Sequence, residues 1–210
     1  MLLDKVTEKF GHPTLSLTGW MIKKILENIH ETLEINTAKL AQIQPDSAVL
    51  EVGFGPGLGL QEAIRYLTNA KGKLYGLDHS EYMYSVASKR LREQIASGKA
   101  QLFLGSVEKI PLPDSVVDRV FHSNCHYYWP DLKKGSVELH RVMKPEGVMV
   151  TTFKLHSIKK EVYFGPLRGK IWQPEPYIDV LQATGFKDVY MEDREDRGLK
   201  FNAIFATASK

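Results

Sequence analysis

Short apolar runs and amphipathic stretches alternate along the chain from residue 48 onward. The runs have the length of buried strands, and the stretches between them repeat apolar residues every three or four positions, as helices do. The pattern predicts strands over Ala48–Gly53, Lys73–Asp78, Ala100–Gly105, Val116–His122, Val148–Phe153, Lys187–Glu192 and Phe201–Ala208. It predicts helices over Leu58–Tyr66, Met83–Ile95, Asp131–Met143 and Tyr177–Thr184. Such alternation is typical of an α/β domain whose parallel sheet is covered on both faces.

Three segments depart from this alternation. Only Asp193–Lys200 joins the last two strands, and because this is too short for a parallel crossover, we expect that pair to be antiparallel. Residues 1–44 precede the first strand and have helical spacing, best over Trp20–Leu33, so we expect an N-terminal helical cap. Residues 154–174 show no clear period and contain two glycines and two prolines, which predicts a loop insertion. The 210 residues fit a single domain.

Composition narrows the class of protein. Hydrophobic residues make up 43% and charged residues 25% of the chain, as in ordinary globular proteins. The excess of 28 Lys and Arg over 25 Asp and Glu is too small to indicate nucleic-acid binding. A single cysteine excludes an internal disulfide and a multi-cysteine metal site, so we expect no metal. The charged start MLLDKVTEKF is unlike a signal peptide, and no apolar run approaches the ~18 residues of a membrane span, which predicts a cytoplasmic protein.

The turn after the first predicted strand is rich in glycine and reads Glu51-Val-Gly-Phe-Gly-Pro-Gly57. Glycine lets a backbone approach a ligand closely, and the next helix points its N–H groups at that ligand. The dinucleotide fingerprint G-x-G-x-x-G/A would need a small residue where this chain has Leu58 or Leu60, so NAD and FAD are disfavoured. The remaining pattern, E-x-G-x-G-x-G between strand and helix, resembles the class I S-adenosylmethionine-dependent methyltransferases.

The resemblance implies a Rossmann-like fold with a seven-stranded, mostly parallel sheet and an antiparallel final strand, and S-adenosylmethionine as the cofactor. Asp78 ends the second strand 21 residues after Gly57, near the spacing of a ribose-binding carboxylate. Ser80 is the better cap for the next helix, which would leave Asp78 free. Relatives have an Asp for the adenine amino group where this chain has Ser106. The expected cofactor-binding residues are Glu51, Gly53, Gly55, Gly57, Asp78, His79, Ser106, Val107 and Ser123.

In this family the fourth strand ends beside the reactive sulfonium, and here the chain continues as Asn124-Cys125-His126-Tyr127. The Asx-Pro-Pro-aromatic motif of enzymes that methylate amino groups of bases is absent, so that chemistry is disfavoured. Cys125 lacks the Pro-Cys setting of RNA C5-methyltransferases and is interpreted as a packed residue. The candidate catalytic residues are His122, His126 and Tyr128, and the two histidines could act as bases because a neutral imidazole works near pH 7.

Ligands of open α/β sheets lie at the carboxyl ends of the strands. The elements Phe10-Gly-His-Pro13 and Gly19-Trp20 resemble an H-P-x-G-W element of bacterial small-molecule methyltransferases of the ubiquinone-biosynthesis-like group. We expect the cap over residues 1–44 and the insertion over 154–174 to enclose the acceptor. The candidate substrate-binding residues are His12, Trp20, Asn124, Trp129, Lys154, Tyr163 and Trp172.

Residues 141–172, here called the basic segment, contain seven basic and two acidic residues. This segment is either a solvated loop face or a surface for an anionic substrate, an acidic membrane or RNA. The predicted function is transfer of a methyl group from S-adenosylmethionine to a small-molecule acceptor by in-line displacement. The alternatives are an RNA or protein methyltransferase that uses the basic segment, and a non-catalytic S-adenosylmethionine-binding protein. A membrane partner and the oligomeric state stay open.

Overall fold

The computed structural model describes residues 31–164 and 172–210. The helices are α1 (31–40), α2 (Leu58–Ala63), α3 (Glu81–Arg90), α4 (Arg92–Ala96), α5 (Leu132–Val142), α6 (Leu155–Phe164) and α7 (Pro174–Ala183). The strands are β1 (Ala48–Val52), β2 (Lys73–Asp78), β3 (Ala100–Leu104), β4 (Val117–Ser123), β5 (Met143–Phe153), β6 (Phe186–Asp196) and β7 (Leu199–Ala208). A single 3₁₀ turn, His126–Tyr128, follows β4.

The seven strands form one sheet in the order β3-β2-β1-β4-β5-β7-β6. Neighbouring strands are parallel except at β7, which runs antiparallel to both β5 and β6. The predicted fold class is therefore confirmed. Strand β1 shows why the sheet needs two covering layers: Val49, Leu50 and Val52 are all buried, so both of its faces are apolar.

Helices cover both faces of the sheet. Helices α5, α6 and α7 contribute Leu139, Ile158 and Leu181 to one core, while α1, α2 and α3 contribute Ala38, Leu60 and Ala87 to the other. The chain moves outward from β1 to β3 and then returns to place β4 on the other side of β1. The crevice where the order of strands reverses is the usual ligand site of such sheets. No helix in the described ranges is long and apolar enough to cross a membrane.

Helix α1 is the part of the predicted cap that the structure describes. Its residues Leu33 and Ala38 are fully buried, and the hydroxyl of Thr37 contacts that of Thr152 near the carboxyl end of β5. The carbonyl of Gln42 lies near the amino end of β4, where it accepts a hydrogen bond from Arg119. Helix α1 therefore runs antiparallel to the parallel strands, and residue 31 lies toward their carboxyl ends.

Several predicted boundaries need correction. Residues 155–164 form helix α6 where a loop was expected, because Leu155, Ile158 and Val162 repeat at helical spacing and pack on the core. The single helix expected over Met83–Ile95 is broken at Leu91 into α3 and α4. The final hairpin is longer than its apolar part, since its ladder extends through the charged residues to Asp196 and Leu199. Residues 1–30 and 165–171 of the predicted cap and insertion lie outside the described residues.

Candidate cofactor and active site

The glycine turn adopts a conformation that side chains disfavour. Gly53, Gly55 and Gly57 have φ of 69°, 51° and 83°, in the left-handed region. The amide of Gly53 donates a 2.7 Å hydrogen bond to the carbonyl of Leu77 at the end of β2. A Cβ at Gly53 would lie 3.0 Å from Cβ of Cys125, so the turn also packs against the segment that follows β4. Its position is thus fixed from both sides of the crevice.

Asp78 is a buried carboxylate, 6% exposed, at the end of β2. Its Oδ2 accepts a 2.8 Å hydrogen bond from the amide of Gly55, and its Oδ1 accepts one of 2.8 Å from the amide of Ser80. Burial raises the pKa of Asp78, and these backbone donors act against that rise. Ser80 caps α3 by accepting from the amide of Met83, as expected, but Asp78 is not free as the sequence suggested. With the amide of His79 as a third donor, about one of its roughly four acceptor positions remains for a ligand.

Glu51 lies 2% exposed beneath the glycine turn, at the end of β1. Its carboxylate accepts a hydrogen bond from the amide of Leu60, and a Cβ at Gly59 would collide with its Oε1. The buried Oε2 has no hydrogen-bond partner among the described residues. Burial, and then the charges of Glu34 and Asp78, hold the pKa of Glu51 well above its ordinary value. A cationic ligand bound beside Glu51 would stabilise its ionised carboxylate.

His122 is fully buried in β4, and both of its ring nitrogens are engaged. Nε2 lies 2.9 Å from the hydroxyl of Tyr177, and Nδ1 lies 2.8 Å from Oγ1 of Thr151. Burial, and then the neighbouring His126, lower its pKa strongly, so the ring is neutral. Cys125 Sγ lies 3.4 Å from the same Nδ1, and burial raises the pKa of this thiol, which disfavours the nucleophilic thiolate.

His126 begins the 3₁₀ turn and is 1% exposed. Its ring stacks on Tyr177 with centroids 4.7 Å apart and meets Phe153 edge-on at 5.4 Å. Neither ring nitrogen has a hydrogen-bond partner within the described part of the chain. Burial lowers the pKa of His126 to about 3, so the imidazole is neutral at physiological pH. A buried polar group left without a partner is costly and calls for an explanation.

The other predicted residues along this edge are buried to different degrees. Tyr128 and Trp129 are partly buried and pack against the core, and Trp172 does so from the segment before α7. Ser123 Oγ is buried and has no hydrogen-bond partner among the residues described. Asn124 and Lys154 are partly buried where β4 and β5 end.

At the β3 end, Val107 is buried and Ser106 is exposed, with its hydroxyl accepting a 3.2 Å hydrogen bond from the amide of Glu108. His79 is 44% exposed beside Asp78. His12 and Trp20 lie outside the described residues, and Tyr163 lies in α6 with its side chain outside them.

Sequence reasoning missed Glu34. This carboxylate is 9% exposed on the buried side of α1, and its charge acts on Glu51. A signal was available, since Glu34 precedes the buried Ala38 and Ala41 by four and seven residues. An acidic residue in the apolar stripe of a helix is a candidate for a special role. Within the described ranges, no group of three or more His, Cys, Asp or Glu side chains could hold a metal ion.

The basic segment does not form one surface in the described residues. Arg141 pairs with Glu138 and Asp114 at 2.7 Å each, and Lys144 pairs with Asp118 at 2.9 Å. Lys144 lies at the amino end of β5 and Lys154 follows its carboxyl end. Because Met143 to Thr152 in β5 pairs with Val117 to Ser123 in β4, the two lysines are about 20 Å apart. Arg141 and Lys144, both ion-paired, therefore lie at the opposite edge of the sheet from Lys154.

Comparison with known proteins identifies the family. Residues 50–151 match the family described as Methyltransferase domain. The chain is 30% identical over 182 residues to Uncharacterized methyltransferase YdaC of Bacillus subtilis (strain 168), which covers 86% of this chain and 93% of that protein. A solved SAM-dependent methyltransferase from Aquifex aeolicus has a TM-score of 0.70 and 25% identity, covering 88% of this chain and 96% of that one.

The name of a second relative includes a small organic compound. The chain is 28% identical over 142 residues to 2-methyl-6-phytyl-1,4-hydroquinone methyltransferase 1, chloroplastic, of Oryza sativa subsp. japonica. That match covers 67% of this chain but 41% of the rice protein.

The chain belongs to the class I S-adenosylmethionine-dependent methyltransferases, and S-adenosylmethionine is its cofactor. The described residues fit this molecule. The glycine turn leaves room for close approach at Gly55, where a Cβ would meet no atom within 4 Å. The buried Oε2 of Glu51 lacks a donor in the described structure, and S-adenosylmethionine is a cation that brings one.

Proposed function

We propose that this protein transfers a methyl group from S-adenosylmethionine to a small organic acceptor at the carboxyl ends of β4 and β5. The supporting observation is the aromatic character of that edge. Tyr128, Trp129 and Trp172 are partly buried against the core, and the buried His126 contacts the rings of Tyr177 and Phe153. Such a wall suits an aromatic or apolar acceptor better than a phosphate backbone. Arg141 and Lys144 of the basic segment are ion-paired at the opposite edge of the sheet, so they do not add to a basic surface at this edge. The acceptor in the name of the rice relative is also a small molecule.

We infer the following division of work at the cofactor. Asp78 accepts a hydrogen bond from a ribose hydroxyl at its remaining position, and His79 lies beside it. Ser106 and the backbone of Val107 contact the adenine. Gly53, Gly55 and Gly57 let the turn lie against the cofactor, Glu51 binds its positive charge, and the buried hydroxyl of Ser123 faces the methionine part.

When bound, S-adenosylmethionine supplies a methyl group on a sulfonium, which leaves as a neutral thioether. The protein must hold acceptor and cofactor in line and keep water away. An acceptor that attacks through a protonated atom also has to lose that proton. We assign proton acceptance to His126, whose two ring nitrogens have no partner among the described residues. Because burial lowers its pKa to about 3, His126 is a weak base and would take the proton as the bond to the methyl group forms, when the acceptor becomes strongly acidic. His122, with both nitrogens engaged, is a positioning residue that fixes the Tyr177 ring on which His126 stacks.

The acceptor pocket that we propose includes Asn124, Trp129, Lys154 and Trp172, together with Tyr128. The N-terminal cap, with His12 and Trp20, and the segment around Tyr163 would complete it. The residue-31 end of α1 lies toward the carboxyl ends of the strands. For this reason we propose that the segment before residue 31 contributes to the acceptor pocket.

The test is methyl transfer from labelled S-adenosylmethionine into a fractionated extract. We expect label in the small-molecule fraction, and at least roughly 10-fold less of it when Asp78→Ala replaces the wild type at limiting cofactor. Label in protein or RNA would overturn the assignment of the acceptor. Cofactor binding in titration calorimetry without label in any fraction would favour the non-catalytic alternative.

A further inference from the structure

Glu34 and Glu51 lie over the same face of the sheet. Glu51 is in register with Phe121 of β4, which is in register with Val150 of β5. Phe121 and Val150 belong to the core that α1 covers with Ala38 and Ala41. Since side chains in register across a sheet share a face, Glu51 points into the layer that contains α1.

The direction of α1 brings Glu34 to the carboxyl ends of the strands. Thr37, one turn later in the helix, contacts Thr152 near the end of β5. Glu34 is one turn closer to the residue-31 end of α1, and Thr152 lies two residues beyond Val150, which is level with Glu51. Glu34 therefore lies beyond the level of Glu51, past the carboxyl end of β1. Its burial, and its effect on the pKa of Glu51, agree with this placement.

The cofactor carries two positive groups, a sulfonium and an ammonium, and they differ in whether they need hydrogen-bond acceptors. The sulfonium carries charge but no hydrogen, whereas the ammonium of the methionine part has three N–H donors that need acceptors. Glu51 presents a buried Oε2 without a donor among the described residues. A donor satisfies this atom, and a bare charge does not. With Ser106 after β3 assigned to the adenine and Asp78 on β2 to the ribose, the methionine part would lie on the other side of β2, toward β1, the strand that carries Glu51.

We propose that Glu34, a residue of the N-terminal helix rather than of the glycine turn, forms with Glu51 a pair of carboxylates that binds the ammonium of S-adenosylmethionine. The pair makes α1 part of the cofactor site. This extends the cofactor assignment and does not depend on the identity of the methyl acceptor.

Titration calorimetry on the full chain tests the proposal with three ligands. S-adenosylmethionine and S-adenosylhomocysteine both carry the ammonium, and only the first carries the sulfonium; 5′-methylthioadenosine has neither. We expect Glu34→Gln to weaken the first two by a similar factor, roughly 10-fold or more as for a charged hydrogen bond, and to leave 5′-methylthioadenosine unchanged. The control is Glu31→Gln, an exposed residue one turn earlier, for which we expect changes within about twofold because exposed charges contribute little.

Two outcomes would overturn the proposal. Unchanged binding of both larger ligands would show that Glu34 is only a buried residue of the helix. Weaker binding of S-adenosylmethionine together with unchanged binding of S-adenosylhomocysteine would show that the charge of Glu34 acts on the sulfonium. If Glu34→Gln also weakened the binding of 5′-methylthioadenosine, the same three titrations on Glu34→Asp would distinguish a specific effect from a general loss of the site. A selective loss of the two larger ligands would support the pair, and an equal loss of all three would overturn it. None of these readouts requires turnover, so they stand apart from the test of methyl transfer.

Discussion

The amide of Gly55 donates a 2.8 Å hydrogen bond to Oδ2 of Asp78, and this bond joins the glycine turn to the end of β2. Asp78 therefore has two tasks. It holds the turn in its left-handed conformation, and it offers its remaining acceptor position to the ribose. A change at Asp78 should affect the cofactor through both.

Asp78→Ala removes both the hydrogen bond from Gly55 and the proposed acceptor for the ribose. A charged hydrogen bond contributes about 1.5–3 kcal/mol, so we expect the Kd for S-adenosylmethionine to rise roughly 10- to 150-fold. The fold should persist, because Ser80 still caps α3. Titration calorimetry measures the Kd, with Glu93→Ala as the control: that side chain is 79% exposed on α4 and should matter little. An unchanged Kd in Asp78→Ala would rule out the ribose assignment.

Cofactor binding should depend on pH through Glu51. Its pKa lies well above the ordinary 4.5, so its contribution to stability without ligand is complete below pH 4.5 and is lost as pH rises through the raised value. A bound cation favours the carboxylate and lowers this pKa. Binding should therefore release protons, and the rise in Tm that S-adenosylmethionine causes should grow with pH across that window. Calorimetry in buffers of different ionisation enthalpy counts the protons.

The control for this effect is Glu51→Gln, which should bind more weakly and lose most of the proton release. Proton release that persists undiminished in Glu51→Gln would assign the effect to another group. A ligand-induced shift in Tm that is the same at every pH would contradict the expectation itself.

Ser106→Asp tests the alignment of the adenine loop. The Ser106 hydroxyl is exposed and accepts from the amide of Glu108, a bond that an Asp oxygen can take over while its second oxygen remains available. We expect the Kd for S-adenosylmethionine to stay equal or to fall. A large loss of affinity would mean that Ser106 does not face the adenine amino group.

The sheet and its glycine turn could be predicted because local sequence determines them. Apolar runs such as that of β1 have few alternatives to a buried strand, and glycines at positive φ mark the turn. The charged end of the final hairpin was missed because its ladder is held by the backbone between Arg194 and Phe201 and needs no apolar pattern. Helix α6 was missed although Leu155, Ile158 and Val162 carried the signal, since nearby glycines and prolines favoured a loop.

The site was harder to predict than the sheet, for physical reasons. Both ring nitrogens of His122 have hydrogen-bond partners, whereas those of His126 have none among the described residues. No pattern in the sequence shows this difference. The role of Glu34 depends on which end of α1 lies over the carboxyl ends of the strands. That direction is set by long-range contacts such as Thr37 with Thr152, 115 residues apart.

His126→Phe should make the protein more stable and less active. Phenylalanine keeps the stack on Tyr177 and removes two buried nitrogens that lack partners among the described residues. Relief of such a group is worth about 1–3 kcal/mol, so the free energy of unfolding should rise by about 1 kcal/mol or more. Methyl transfer should fall if the acceptor must lose a proton, while cofactor Kd stays the same. Denaturant unfolding and turnover test the two halves, and a less stable variant with full activity would contradict both.

The last prediction compares two N-terminal deletions, because α1 divides the predicted cap. A chain that begins at residue 31 keeps the buried face of α1 and Glu34, so we expect it to fold and to bind S-adenosylmethionine. If residues 1–30 enclose the acceptor, it should lose methyl transfer. A chain that begins at Asn36 also loses Leu33, which is fully buried. Removing such a side chain costs about 2–5 kcal/mol, so this shorter chain should have a markedly lower Tm and weaker cofactor binding. Full turnover by the chain that begins at residue 31 would show that the acceptor site lies entirely within the residues described.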